Sequence, residues 1–277
     1  MKIIDYITFG ILFISLGLAF SGNASEIETE ELNVKRIRSI DVQKSNFEPS
    51  GVVISPDNEV VVVSDNGRAM TFPMRNSSLQ AYYKIEKKKD LEGVTYSPTS
   101  QLYFAIEEGK DKLWVLDEDL ENVLYKSKVP RHFRGERITR KTDADGAGGL
   151  EALCLIKEDQ KYFYFMAANQ SRHFSGDDKS AVISFKLHKR TQNITINNYY
   201  PLEIKDISGL TKVGRRVALI SDTEDKLYLF NQKMKLLQVY ELPGLAQEGI
   251  AVTKDRKRIY IAEDYGEVLQ IDLNSPL

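Results

Sequence analysis

The feature that most constrains this chain is a short motif that recurs five times. It reads Pro49-Ser50-Gly51-Val52, Leu91-Glu92-Gly93-Val94, Leu150-Glu151-Ala152-Leu153, Ile207-Ser208-Gly209-Leu210 and Gln247-Glu248-Gly249-Ile250. After each copy comes a turn signal such as Ser55-Pro56-Asp57-Asn58, Ser97-Pro98-Thr99 or Lys254-Asp255-Arg256. A β-branched or aromatic run follows: Val60–Val63, Leu102–Ile106, Tyr162–Met166, Val217–Ile220 and Ile259–Ala262. Most units then carry a further apolar run, as at Lys112–Leu116, Ala181–Phe185, Lys226–Phe230 and Glu267–Ile271. Short strands separated by turn residues, with no amphipathic helical period among them, define an all-β chain. Repetition at a fixed period means stacked units, each of which buries its apolar faces only against its neighbours.

The steps between motif positions are 42, 59, 57 and 40 residues. Steps near 40 fit a four-stranded blade, and the longer ones carry insertions at about 129–148 and 170–180. Continuous apolar second strands fit burial on both faces, as when blades pack face to face about an axis. The expected fold is a single β-propeller of five blades, with six as the alternative. Val34–Asp41 precedes the first motif and is expected to close the ring as the outer strand of the last blade.

Lys2, an apolar run over about Ile7–Phe20 and then Ser21, Gly22, Ala24 and Ser25 follow the order of a secretory signal peptide. The run is short of the ~20 residues that span a bilayer, although an uncleaved anchor in the inner membrane is the alternative. Residues 1–24 are therefore set apart as a signal peptide or anchor, 25–33 as a solvated linker and 34–277 as the propeller. The expected location is periplasmic or secreted, with membrane contact only through a retained N-terminal segment. A formal net charge of −2 carries no basic excess of the kind a nucleic-acid binder needs. The single cysteine, Cys154, forms no internal disulfide; it sits in an apolar run and reads as a small buried hydrophobe.

In order along the chain, the segments PSGVVISPDNEVVVVSDNG (49–67), DLEGVTYSP (90–98), DISGLTKVGRRVALISDTEDKLYLF (206–230) and QEGIAVTKDRKRIYIAEDYGEVLQIDL (247–273) resemble the SdiA-regulated, YjiK-like family. They are similar more loosely to NHL-repeat propellers and esterase-like phytases. The resemblance covers roughly residues 34–273, and the third copy departs from it, with Ala152 where the others have Gly. It implies an exported or membrane-anchored propeller, five-bladed, with metal binding; it implies no particular reaction.

The residue before each motif glycine opens the innermost strand, so Ser50, Glu92, Glu151, Ser208 and Glu248 are expected to face the central channel. Three carboxylates and two hydroxyls in one ring either hold a hard divalent cation, calcium being the natural one outside the cytoplasm, or accept blade-to-blade hydrogen bonds. Asp65, Glu107, Asn169, Asp222 and Glu263 end the second strands; they read either as a binding rim or as turn residues. The basic stretch Lys126–Lys141 with Arg131 and Arg134, and Arg172 with His173 in the second insertion, read either as a cationic lip for an anionic ligand or as solvated loop. Thr142–Gly146 is a Gly-containing loop with only part of a calcium-loop spacing. Neither a Gly-x-Ser-x-Gly elbow nor a His-Glu-x-x-His pair is present. The favoured expectation is a monomeric binding or sensing module for a small molecule or an envelope protein. The alternative is a metal-dependent hydrolase acting on an ester, lactone or phosphoester, with no catalytic residue identified.

Overall fold

The structure is a computed structural model that describes residues 27–42, 47–75, 78, 81–87, 89–139, 149–171 and 179–277. The N-terminal segment 1–24, the loop Thr142–Gly146 and the pair Arg172 and His173 lie outside the described residues.

Five antiparallel sheets make five blades. From the axis outward, blade 1 is Pro49–Ile54, Glu59–Ser64, Arg68–Pro73 and Ala81–Lys84; blade 2 is Leu91–Ser97, Leu102–Glu107, Lys112–Leu116 and Val123–Lys128. Blade 3 is Leu150–Glu158, Tyr162–Asn169, Lys179–His188 and Ile194–Lys205, and blade 4 is Ile207–Val213, Arg216–Ser221, Lys226–Asn231 and Leu236–Glu241. Blade 5 takes Gln247–Val252, Arg258–Glu263 and Glu267–Leu273 from the C-terminal end of the chain and its outer strand, Val34–Asp41, from the N-terminal end. That shared blade closes the ring with backbone hydrogen bonds, as the sequence predicts. Part of the expected linker is itself paired: Thr29–Glu31 lies parallel to Leu236–Glu241 as an exposed fifth strand on blade 4. A strand of three polar residues shows no apolar alternation by which to find it.

Each second strand is buried on both faces because its alternate side chains serve two different neighbours. Val60 and Val62 pack toward Tyr260 and Ala262 of blade 5, whereas Val61 and Val63 pack toward Tyr103 and Ala105 of blade 2. The same division recurs around the ring, so that five apolar clusters fill the five gaps between blades. Blades 2 and 3 meet through edge-on aromatic contacts of Phe104 with Phe163 and Phe165, at centroid distances of 4.8 and 5.0 Å.

The motif explains how the axis is built. In every blade the ladder between the first and second strands shifts register there, between Pro49 and Gly51, Leu91 and Val94, Leu150 and Ala152, Ile207 and Gly209, and Gln247 and Gly249. A bulge releases a residue from the ladder and re-aims its side chain; here the released position is Ser50, Glu92, Glu151, Ser208 or Glu248. The glycine that follows lets the next inner strand approach. A Cβ on Gly93 would lie 2.2 Å from the Leu153 amide nitrogen, and one on Gly51 would lie 2.3 Å from the Glu92 carbonyl oxygen. Both obstacles are backbone. Gly93→Ala should therefore cost at least the ~1–3 kcal/mol typical of overpacking, read as a lower midpoint in urea unfolding; an unchanged midpoint would show that the inner strands can move apart.

Candidate metal centre

Three layers of side chains converge where the inner strands begin. The bulge layer supplies Glu92, Glu151 and Glu248, of which Glu92 and Glu151 are only 8% and 7% exposed. Its two serines have partners already. Ser50 Oγ donates to the Leu91 carbonyl at 2.5 Å, and Ser208 Oγ donates to the Gln247 carbonyl, so the hydroxyls join blade 1 to blade 2 and blade 4 to blade 5. The ring therefore holds a cluster of carboxylates at the glutamates and hydrogen bonds between blades at the serines, which donate to carbonyls rather than accept as the second alternative expects.

The second layer is formed by the residue just beyond each second strand: Asp65, Glu108, Gln170, Asp222 and Asp264. The third is formed by the residue two before each bulge: Glu48, Asp90, Gly149, Asp206 and Ala246. Among them opens a cavity of about 240 Å³. Eight carboxylates line it: Glu48 and Asp90; Glu92, Glu151 and Glu248; and Asp65, Glu108 and Asp264, with Ser50 and Gln170 beside them. No Lys, Arg or His is among these lining residues. In blade 4 the corresponding acids serve the loops: Asp206 accepts from Gln170 Nε2 (2.8 Å) and Thr223 Oγ1 (2.6 Å), and Asp222 accepts from the Gln247 amide (2.8 Å).

Buried carboxylates crowded together hold on to protons. Burial, then the carboxylates of Glu151 and Asp90, raises Glu92 well above the usual range; burial, then Glu108, does the same to Glu151. Burial and the neighbouring acids push Asp65 and Glu248 up to about 8 and Glu108 up to about 7. Asp90, Glu92 and Glu108 each bring a carboxylate oxygen within 4.8 Å of the others. Glu151 is hydrogen-bonded to Glu108 on one side, while its Oε1 is buried with no hydrogen-bond partner, as is Asp65 Oδ1. An orphaned carboxylate oxygen beside three convergent ones fits a hard divalent cation, which takes six to eight oxygen ligands.

Of the five expected rim residues only Asp65 lines the cavity; Asp222 serves a loop, and at the other three positions it is the next residue in the chain that belongs to the second layer. Glu107, Asn169 and Glu263 are the strand-terminal residues before Glu108, Gln170 and Asp264, and they do not line the cavity. Successive strand residues face opposite ways, so a one-residue slip exchanges the two sides. Glu107 pairs with Lys110 Nζ (2.7 Å) and accepts from Trp114 Nε1 (3.0 Å); Glu263 accepts from the Leu245 amide (2.9 Å). Asn169 donates to the Ile138 carbonyl (2.8 Å), which ties together the bases of the two insertions. The third layer, including Glu48 and Asp90, is added by the structure; its signal in the sequence is the acid that immediately precedes three of the five motif copies, at Glu48, Asp90 and Asp206.

The cationic lip is corrected in part. Arg131 pairs with the buried Asp111 and donates to the Gly109 carbonyl at 3.0 Å, so it clamps the base of the first insertion. Arg134 sits in the turn between His132–Phe133 and Glu136–Arg137, its guanidinium 5.0 Å from the Phe133 ring centre. Neither lines the cavity. Cys154 is buried, and burial pushes its thiol up to about 12, the state of an inert packing residue.

Fold and site together define a five-bladed β-propeller with an acid-lined central cavity. Neither a family model nor a curated protein matches the chain. Among solved structures it is similar to glutaminyl cyclase from Myxococcus xanthus, with a TM-score of 0.60 at 10% identity over 88% of this chain and 97% of that one. It is similar also to a streptogramin B lyase, with a TM-score of 0.50 at 10% identity over 86% of this chain and 98% of that one. At this identity the likeness is one of fold.

The raised carboxylates set the direction of a pH response. They hold protons up to about pH 7–8 when folded but release them near 3.8–4.5 when unfolded. Between those limits the folded state binds more protons, so stability falls as pH rises. The metal-free protein should melt at a lower temperature at pH 8 than at pH 5, with a shallower fall in Glu248→Gln. A midpoint that rises over this interval would mean that the cavity acids ionise at their ordinary pH.

Proposed function

We propose that this chain is an exported cell-envelope propeller that holds a divalent cation, calcium by preference, in its central cavity and acts as a monomeric binding or sensing module. The observation that carries this reading is the buried, unpartnered Oε1 of Glu151 inside a cavity lined by eight carboxylates. A bound cation removes the mutual repulsion that otherwise keeps these groups protonated. All-oxygen ligation suits a hard ion, and calcium is abundant outside the cytoplasm. Glu92, Glu108, Glu151 and Asp90 are the residues that would hold it. The resemblance to the SdiA-regulated family, with its implied export and metal binding, supports the same reading, as does the signal-like N-terminus. The bound ion and the acidic mouth would then form the surface that meets a small molecule or an envelope protein. A hydrolase built on the same ion would need a general base apart from its ligands. The residues lining the cavity include no His or Lys, which favours the binding role.

The test is a thermal melt of residues 25–277 after chelation, with calcium then titrated back. An ion bound only by the folded state adds ~2.7 kcal/mol at a hundred times its dissociation constant, so the midpoint should climb with calcium. Glu151→Gln and Glu92→Gln should lose that climb, while their metal-free midpoints stay at or above that of the parent because each removes a buried acid. A midpoint indifferent to calcium, magnesium, manganese and zinc would sink the metal-binding reading.

A further inference from the structure

A second cavity, of about 1010 Å³, lies at the other end of the inner strands. Blades 1, 2 and 5 contribute Ser50, Glu92 and Glu248 to the acidic cavity and, four residues further along the same strands, Ile54, Tyr96 and Val252 to this groove. At about 3.3 Å per residue the two sites stand ~13 Å apart along the strands. They differ in chemistry as well as in place. The groove takes five cationic side chains, Lys35, Arg36, Lys254, Lys257 and Arg258, against two carboxylates, Asp255 and Asp272.

Both carboxylates are occupied. Asp272, mostly buried, accepts from Arg36 Nε at 3.0 Å and from Arg258 Nε at 2.5 Å. Asp255 closes its own turn by accepting from Thr253 Oγ1 (2.6 Å) and the Lys257 amide (3.0 Å). Asp272 therefore orients two guanidiniums, each with further N–H groups to give, at a junction of the closing strand and blade 5. Lys35, Lys254 and Lys257 form no ion pair among the described residues. The remainder of the lining includes apolar side chains from Ile54, Met74, Val252 and Leu273, with the half-buried ring of Tyr96. A volume of this size accommodates a small organic ligand, and such sites pair an apolar lining with a few fixed polar groups.

We infer that this groove binds a small organic anion, a carboxylate, phosphate or sulfonate carried on an apolar or ring-bearing body. The anionic group lies against Arg36, Arg258 and the lysines, since guanidiniums held in place by a carboxylate offer oriented donors at little entropic cost. The body lies on Tyr96, Met74 and Val252. The propeller is thereby a two-ended device, with a cation site at one mouth and an anion site at the other, and the second does not depend on the first.

The probe is anilinonaphthalene sulfonate, an anion on an aromatic body, titrated by fluorescence into residues 25–277 well below the melting temperature. Saturable binding at one site is expected, weakened by salt and displaced by octanoate. Replacing the three unpaired lysines together, Lys35→Glu, Lys254→Glu and Lys257→Glu, should weaken it at least about tenfold with no change in melting midpoint; the same positions changed to Gln give a milder version that tests the assignment if the reversal unfolds. Unchanged affinity in both triple variants would overturn the assignment. So would displacement by inorganic phosphate as effective as by octanoate at matched ionic strength, because the apolar lining would then play no part. Sedimentation with phosphatidylglycerol vesicles in the absence of dye binding would overturn it in favour of a membrane surface. Calcium and Glu151→Gln should leave dye binding unaltered, which separates this result from the fate of the cation site.

Discussion

The close approach of five inner strands at the axis is the constraint on which the remainder of this structure depends. Backbone comes within reach of backbone at Gly51 and Gly93, where even a methyl group has no room. That closeness needs two local devices, a residue without a side chain and a bulge that turns the preceding side chain out of the ladder. Both reside in the same short motif, so each blade that packs tightly also delivers one polar side chain to the axis. Packing and chemistry are therefore coupled: the step that closes the ring is the step that gathers Glu92, Glu151 and Glu248.

Gathering carboxylates in this way opposes folding. The apolar clusters between blades provide the counterweight, since each second strand is buried on both faces and its alternate side chains serve two gaps at once. The outer strand of blade 5, borrowed from the other end of the chain, holds the ring closed against the repulsion at its centre. Such a cluster is maintained at a cost to stability that protons offset at low pH, and under the proposed cation binding an ion would offset it at higher pH and so tie occupancy of the cavity to the stability of the whole domain.

The two ends of the axis illustrate how one set of strands can present unlike chemistry. A strand of six or seven residues is long enough to separate Glu92 from Tyr96 and Glu248 from Val252, yet short enough that the same blades build both sites. The acids come from bulges and strand ends that the repeat places in equivalent positions. The cations of the groove come from one turn of blade 5, from Arg258 at the start of the strand after it and from the closing strand, so they break the fivefold repetition. Blade 4 breaks it at the acidic end, where Asp206 and Asp222 are consumed by loop hydrogen bonds.

What the sequence alone determined is an all-β propeller with five blades favoured over six, the runs that form the inner and second strands, the closing strand and the place of three glutamates on the inner strands. These follow from local signals repeated five times: a glycine that marks close approach, a turn, and an apolar run. Only the tertiary structure decided which member of each adjacent pair faces the cavity, so that Glu108 and Asp264 belong to it and Glu107 and Glu263 do not. Alternation fixes that two neighbours point apart, but the sense is set by where the strand ends against its partner, which is a matter of register between chain segments. Tertiary structure also decided the fate of Arg131, drawn to Asp111 at the base of an insertion, and the making of the cationic groove. Its residues are separated by as many as 238 positions, from Lys35 to Leu273, and meet only because the ring closes.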